Sequence, residues 1–137
     1  MLEKRAVTDG ACSGSVGGWA FKMDGTVLSG WMPNTTNNQM ELYAVFMALE
    51  NCPSDAELKI TTDSQLVIGW LSRGWALNVE PIRVLVEVIL EVARLKRVEL
   101  AFQWVKGHAQ HDDNLVVDRA AVMQTKYGWQ QVGRANS

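Results

Sequence analysis

The chain has 137 residues, 47% of them hydrophobic and 20% charged, with a formal charge of −2 when both histidines are neutral. That length makes one domain that buries about two-thirds of the surface its unfolded form exposes, and the composition excludes disordered and fibrous classes. The near-neutral charge offers no general basic surface, so any nucleic-acid function must come from local chemistry.

Arg5-Ala6-Val7-Thr8-Asp9 reads as a short first strand. Residues 17–23 and 26–31 read as two more, joined by Asp24-Gly25. Asp-Gly suits a type I′ hairpin because both central residues must take positive φ. The loop over 33–38 ends in helix N-cap residues, and 39–51 is rich in helix formers, with Met40, Tyr43, Phe46, Met47 and Leu49 apolar over so much of its surface that the helix should be buried. Residues 57–62 alternate as a strand, and Ser64 opens a helix that Gly74 stops. Pro81 suits the first turn of another helix, along which Ile82, Leu85, Val86, Ile89 and Ala93 mark one face at helical spacing. The last strand falls over 98–105; Asp112-Asp113-Asn114 then caps a terminal helix over 115–127, which Gly128 ends. Residues 128–137 are expected as a loose tail. The order βββαβααβα predicts an α/β fold: an antiparallel meander, then strands reached through helical crossovers, in a mixed sheet with helices on its faces.

No apolar run approaches the roughly 18 residues of a membrane span. Met1-Leu2-Glu3-Lys4-Arg5 leads into polar sequence where a secretory signal would have an apolar core, so a soluble cytoplasmic protein with no membrane association is expected. Cys12 and Cys52 are too few for a disulfide framework and are read as reduced thiols. Zinc ligation by them with His108 and His111 is disfavoured for want of closely paired ligands.

Four carboxylates share one placement, each at a strand end or on a helix that begins beside one. Asp9 ends the first strand, Asp63 ends the fourth, Glu41 lies in the first turn of the first helix and Asp118 in the second turn of the last. In open α/β sheets, ligands bind outside the carboxyl ends of parallel strands. Acids converging there would repel one another unless a cation were present, and hard oxygen donors point to Mg²⁺ or Mn²⁺. The alternative is that each is a turn or cap residue, since Asp-Gly and Asp-Ser are common turn chemistry and an acid near a helix start suits the dipole.

The words around these acids are more specific. Thr8-Asp9-Gly10-Ala11-Cys12, Thr36-Asn37-Asn38-Gln39-Met40-Glu41-Leu42, Thr62-Asp63-Ser64-Gln65, and Trp104-Val105-Lys106-Gly107-His108-Ala109-Gln110-His111 followed by Asn114 and Asp118, closely resemble type 1 ribonuclease H in order and element context, from about residue 6 to residue 126. The resemblance implies a five-stranded mixed sheet, a three-strand antiparallel meander plus two parallel strands, with a catalytic domain over 1–127. It implies an endonuclease acting on the RNA strand of RNA/DNA hybrids, with Asp9, Glu41, Asp63 and Asp118 holding two Mg²⁺ ions, Mn²⁺ being the alternative. Asp9 would bridge both ions. Asp118 would share the ion that lowers the pKa of the attacking water, and Glu41 and Asp63 the ion facing the leaving 3′-oxygen, giving 5′-phosphate and 3′-hydroxyl products. The mobile-loop histidine maps onto His108, for proton transfer or product departure.

Telling RNA from DNA requires contacts to the 2′-hydroxyl. By resemblance these come from main chain near Gly10 and Cys12, from Glu41, and from the amides of Asn37, Asn38 and Gln65, with Thr36 near a DNA-strand phosphate. Asn37 or Asn38 is equally readable as an N-cap. Trp70, Arg73 and Trp75 are placed to stack on the DNA strand, with core packing the alternative for a tryptophan. The chain departs from many relatives in a shorter turn over 12–18 and in lacking a basic, tryptophan-bearing extension between Trp75 and Pro81. A monomer is expected.

Overall fold

The computed structural model describes residues 1–75, 78–106 and 112–135. Its elements are β1 (Leu2–Ser13), β2 (Val16–Met23), β3 (Thr26–Met32), α1 (Asn37–Glu50), β4 (Ala56–Thr62), α2 (Gln65–Ser72), α3 (Glu80–Lys96), β5 (Glu99–Trp104) and α4 (Asp112–Ala135). The order βββαβααβα is the one the sequence predicts. The strands form one sheet in the spatial order β3-β2-β1-β4-β5, with β1, β2 and β3 antiparallel and β1, β4 and β5 parallel. Asp24 and Gly25 both take positive φ, 53° and 77°, as the β2–β3 hairpin requires.

One sheet face is covered by α1, with α3 packed on α1; the other is covered by α4 over β1, β2 and β3. The main core joins Phe21, Met40, Leu42, Leu49, Leu58, Ile60 and Ile89, all buried. A smaller cluster of Ala20, Val117 and Ala121 seats α4. Among the described residues, no helix is long and apolar enough to cross a membrane.

Several boundaries differ from the sequence reading, and α4 starts at Asp112 rather than at 115, so that Asp112, Asp113 and Asn114 form its first turn instead of capping it. β1 spans Leu2–Ser13, longer at both ends than the strand expected at 5–9, because it is central: its first half pairs with β4 and its second half with β2. α1 starts at Asn37, since Thr36 is its N-cap and accepts from the Gln39 N–H at 3.3 Å. The expected loose tail is instead helix as far as Ala135, Asn136 and Ser137 lying outside the described residues. Gly128 does not stop α4, because it is buried where the helix presses on β2 and β3: a Cβ there would lie 2.7 Å from Val16 Cγ1 and 2.8 Å from the Trp31 ring. Its missing side chain serves close packing rather than a left-handed turn.

Candidate active site

The site forms where the sheet divides. The parallel ladder between β1 and β4 ends at Val7 and Thr61, while β1 runs on with β2 alone through Ser13. This opens a crevice at the carboxyl ends of the parallel strands, the place where open α/β sheets bind ligands. Asp9 therefore lies inside β1, opposite Ala20, rather than at its end, and is 8% exposed. Asp63 follows the last residue of β4 and is exposed.

Glu41 comes from the second turn of α1, not the first, because that helix starts two residues earlier than expected. It is 6% exposed. Gly10 brings it in: a Cβ there would lie 2.4 Å from both Glu41 N and Met40 C, so only glycine lets α1 approach β1 this closely. The Gly10 N–H donates to Glu41 Oε1 and, at 2.9 Å, to Asp9 Oδ1. Asp118 arrives on α4, whose start is tied to β2 by a 2.8 Å ion pair between Asp113 and Lys22.

Carboxylate oxygens of Asp9, Glu41 and Asp63 lie within 4.8 Å of one another. Together with Asp118 they line a cleft of about 510 Å³, along with Gly10, Asn37, Asn38, Ser64, Gln65, Leu66 and Trp104. The sequence-predicted residues Gly10, Asn37, Asn38 and Gln65 thus share one cavity with the acids. With Thr36 taking the cap, Asn37 and Asn38 keep their side-chain amides for the cleft. Cys12 and Thr36 are not in the cleft lining; the Cys12 thiol donates to Gly14 O at 3.0 Å and Thr35 O at 3.6 Å. His108 and His111 lie outside the described residues.

Trp104, 46% exposed, is a lining residue the sequence reading did not single out, although it opens one of the quoted words. Its Nε1–H donates to Asp63 O at 3.2 Å, pinning the turn after β4, and Val105 N–H holds Thr62 O at 2.9 Å. Leu66 was also missed, since nothing distinguishes an apolar residue in a helix's first turn from a core position.

Of the three residues after Asp63 read as a stacking surface, Trp70 is half-buried against the main core. Trp75 is exposed, lies against Gly69 and carries the Arg73 guanidinium 5.8 Å from its ring centre. Core packing thus holds for Trp70, and Trp75 keeps an exposed face.

The ribonuclease H family model matches residues 3–126. The chain belongs to the ribonuclease H family. It is 38% identical to a ribonuclease H of Geotalea uraniireducens over 130 aligned positions, covering 82% of this chain and 87% of that one. It is 41% identical to a ribonuclease H of Chlorobium phaeobacteroides, covering 87% and 92%. Among solved structures, its fold resembles the N-terminal RNase H domain of a Mycobacterium tuberculosis protein, with a TM-score of 0.79, 18% identity and coverage of 96% and 99%. It also resembles RNase H1 of Halobacterium salinarum, with a TM-score of 0.72, 24% identity and coverage of 90% and 98%. The chain is a ribonuclease H endonuclease.

The electrostatics of this ribonuclease H are those of an acidic cluster that could hold a cation. Burial pushes Glu41 up to about 10, helped by its hydrogen bond with Asp9 and the charges of Asp9 and Asp63, against a smaller opposing pull from the Gly10 N–H. Burial also raises Asp9, to about 7; the hydrogen bond with Glu41 opposes this, while Asp63 and Asp118 add to it. Without a cation, the buried pair keeps at least one proton through neutral pH, because two adjacent carboxylates cannot both ionise cheaply in a desolvated site. The donors are all hard oxygens, which suits a divalent cation such as Mg²⁺.

Proposed function

We propose that this ribonuclease H hydrolyses the RNA strand of RNA/DNA hybrids with two divalent ions, leaving 5′-phosphate and 3′-hydroxyl ends. The observation that carries the reading is the convergence of Asp9, Glu41 and Asp63 oxygens within 4.8 Å, with Asp118 lining the same cleft. Asp9, Glu41, Asp63 and Asp118 would hold Mg²⁺, with Mn²⁺ the alternative. When bound, such ions supply a water of lowered pKa and neutralise charge at the attacking and leaving oxygens.

The chain's own groups then bind and orient. Gly10 N–H fixes the Glu41 carboxyl, and Trp104 fixes the turn that carries Asp63. The amides of Asn37, Asn38 and Gln65 both donate and accept, which is what a ribose 2′-hydroxyl demands. Among the described lining residues, the Ser64 hydroxyl is the group closest to a nucleophile, and it is committed to capping α2 by accepting from Val67 N–H at 3.2 Å. In this reading water, not a side chain, is the attacking group. His108 would assist proton transfer or product departure.

The test is a gel assay on an end-labelled RNA/DNA hybrid, with and without Mg²⁺, for the parent and Asp9→Asn. Metal-dependent cutting of the RNA strand alone, abolished in the variant, is expected. Cutting of free RNA or DNA at equal rates, or near-parental activity in Asp9→Asn, would sink the reading.

A further inference from the structure

The last turns of α4 reach a part of the molecule that the acids do not explain. The short turn between β1 and β2 contains Gly14 at φ 59° and is held from two sides. On one side, Trp129 Nε1–H donates to Ser13 O at 3.0 Å, and a Cβ on Gly14 would lie 3.3 Å from the Trp129 ring. The neighbouring Gly128 lets α4 press directly on Val16 at the far end of the turn. On the other side, the Thr35 N–H donates to Ser15 O at 3.0 Å, and the Cys12 thiol donates to Gly14 O and Thr35 O. Thr35 immediately precedes the Thr36 cap and the cleft-lining Asn37 and Asn38. The turn thus joins three things: the β1 strand that carries Asp9 and Gly10, the entry to α1, and the end of the helix that carries Asp118.

We propose that Trp129 is a positioning residue for hybrid binding, which sets the β1–β2 turn and through it the Gly10 strand and the Asn37–Asn38 entry of α1 against the RNA strand. The inference rests on the functional reading above. A helix is stiff, and α4 is anchored near its start by the Asp113–Lys22 ion pair, so it holds the turn in a fixed relation to Asp118. Trp129 lies eleven residues beyond Asp118 on α4, about 16 Å along the helix axis, so its contribution belongs to substrate binding and not to the chemical step. Uniform binding contacts change KM and leave kcat largely alone.

Two variants separate the contacts. Trp129→Phe keeps a ring against Gly14 and removes the N–H; Trp129→Ala removes both. Met123→Ala, an exposed site on the same helix, is the control. Steady-state kinetics on a labelled RNA/DNA hybrid should show KM raised about three- to tenfold, more for Ala than for Phe, as loss of one hydrogen bond and then the packing predicts. The kcat should stay within about twofold. Amide hydrogen exchange, measured without nucleic acid, should speed up at Ser13–Val16 in both variants and stay unchanged in β4.

An unchanged KM, or a kcat that falls in step with the melting temperature, would overturn the proposal. So would unaltered exchange in the turn. A parent inactive on the hybrid would instead overturn the functional reading, while the exchange measurement would still decide whether Trp129 holds the turn.

Discussion

The main-chain N–H of Gly10 donates to the side chain of Glu41, so an acid from α1 is clasped by the strand that carries Asp9. The contact holds a carboxyl in the most desolvated corner of the cleft, where burial already favours its protonated form. Glu41→Gln keeps the accepting oxygen and the shape but cannot ionise. Without metal at neutral pH the variant should melt at or above the parental temperature, because folding no longer has to take up a proton on this buried group. It should also lose most cleavage of a labelled hybrid. A large drop in metal-free stability would contradict this account of the pair.

The shifts of Asp9 and Glu41 set how the metal-free protein responds to pH. Both values in the folded chain are raised, to about 7 from 3.8 and to about 10 from 4.5. Between the unfolded and folded values the native state binds more protons than the unfolded one, so stability falls as pH rises. Melts in a chelator should therefore drop steadily from about pH 5 towards pH 9. Saturating Mg²⁺ should lift the alkaline end most, because it replaces the proton as the neutralising charge. A melting temperature that climbs with pH in the chelator would contradict the burial of these acids.

Gly128→Ala tests the packing that carries α4 past its expected end. The added methyl would lie 2.7 Å from Val16 and 2.8 Å from Trp31, at a position buried between a helix and a sheet. Overpacking of this kind costs about 1–3 kcal/mol, outweighing the gain in helix propensity from glycine to alanine. Urea unfolding should show a lower midpoint, and an unchanged or higher one would mean that α4 is not pressed home here.

Thr35→Val is expected to go the other way. Among the described residues the buried Thr35 hydroxyl has no hydrogen-bond partner, whereas its main-chain N–H and carbonyl are both engaged. Replacing an unsatisfied buried hydroxyl by a methyl removes a desolvation cost on the order of 1–3 kcal/mol. The melting temperature should stay level or rise, and a clear loss would reveal a partner for the hydroxyl.

Trp75→Ala addresses the surface after α2. Trp75 is exposed, seated against Gly69 and flanked by the Arg73 guanidinium, an arrangement suited to a sugar or base face above a phosphate. Its loss should raise KM for the hybrid with kcat nearly unchanged. Arg73→Ala should in addition flatten the dependence of binding on salt by about one phosphate contact. Equal effects of both variants on kcat would assign this surface to the chemistry instead.

Much of this architecture is legible in the sequence, for identifiable reasons. The Asp24-Gly25 hairpin and the strand–helix alternation after it are local signals, and local physics governs them. Asp63 is visible because it stands where β4 ends, whereas Asp9, inside β1, and Asp118, in the second turn of α4, are visible through the words around them. The length of β1 was not legible, because it depends on two partners on opposite sides of the strand. Gly128 misleads because a glycine in a helix reads as a terminator unless the surface pressed against it is known. Thr36 rather than an asparagine caps α1, since all of these side chains can cap and only the chain's approach along Thr35 and Ser15 decides between them. Trp104 carries no polar signal of its own, and its relation to Asp63 arises from the parallel register of β4 and β5.

The division of the sheet between β4 and β2 has a consequence for how the protein can fail. Asp9, Glu41, Asp63 and Asp118 come from β1, α1, β4 and α4, segments brought together only by crossovers and by packing on both sheet faces. No hairpin or helix pair contains the whole set, so a partly opened chain that has lost β4 or α4 has also lost the acid cluster. A divalent ion that binds this set is therefore a ligand of the complete native state alone. By mass action it stabilises that state against each partially unfolded form. Where such an ion binds, the integrity of the whole domain follows the ion concentration around it.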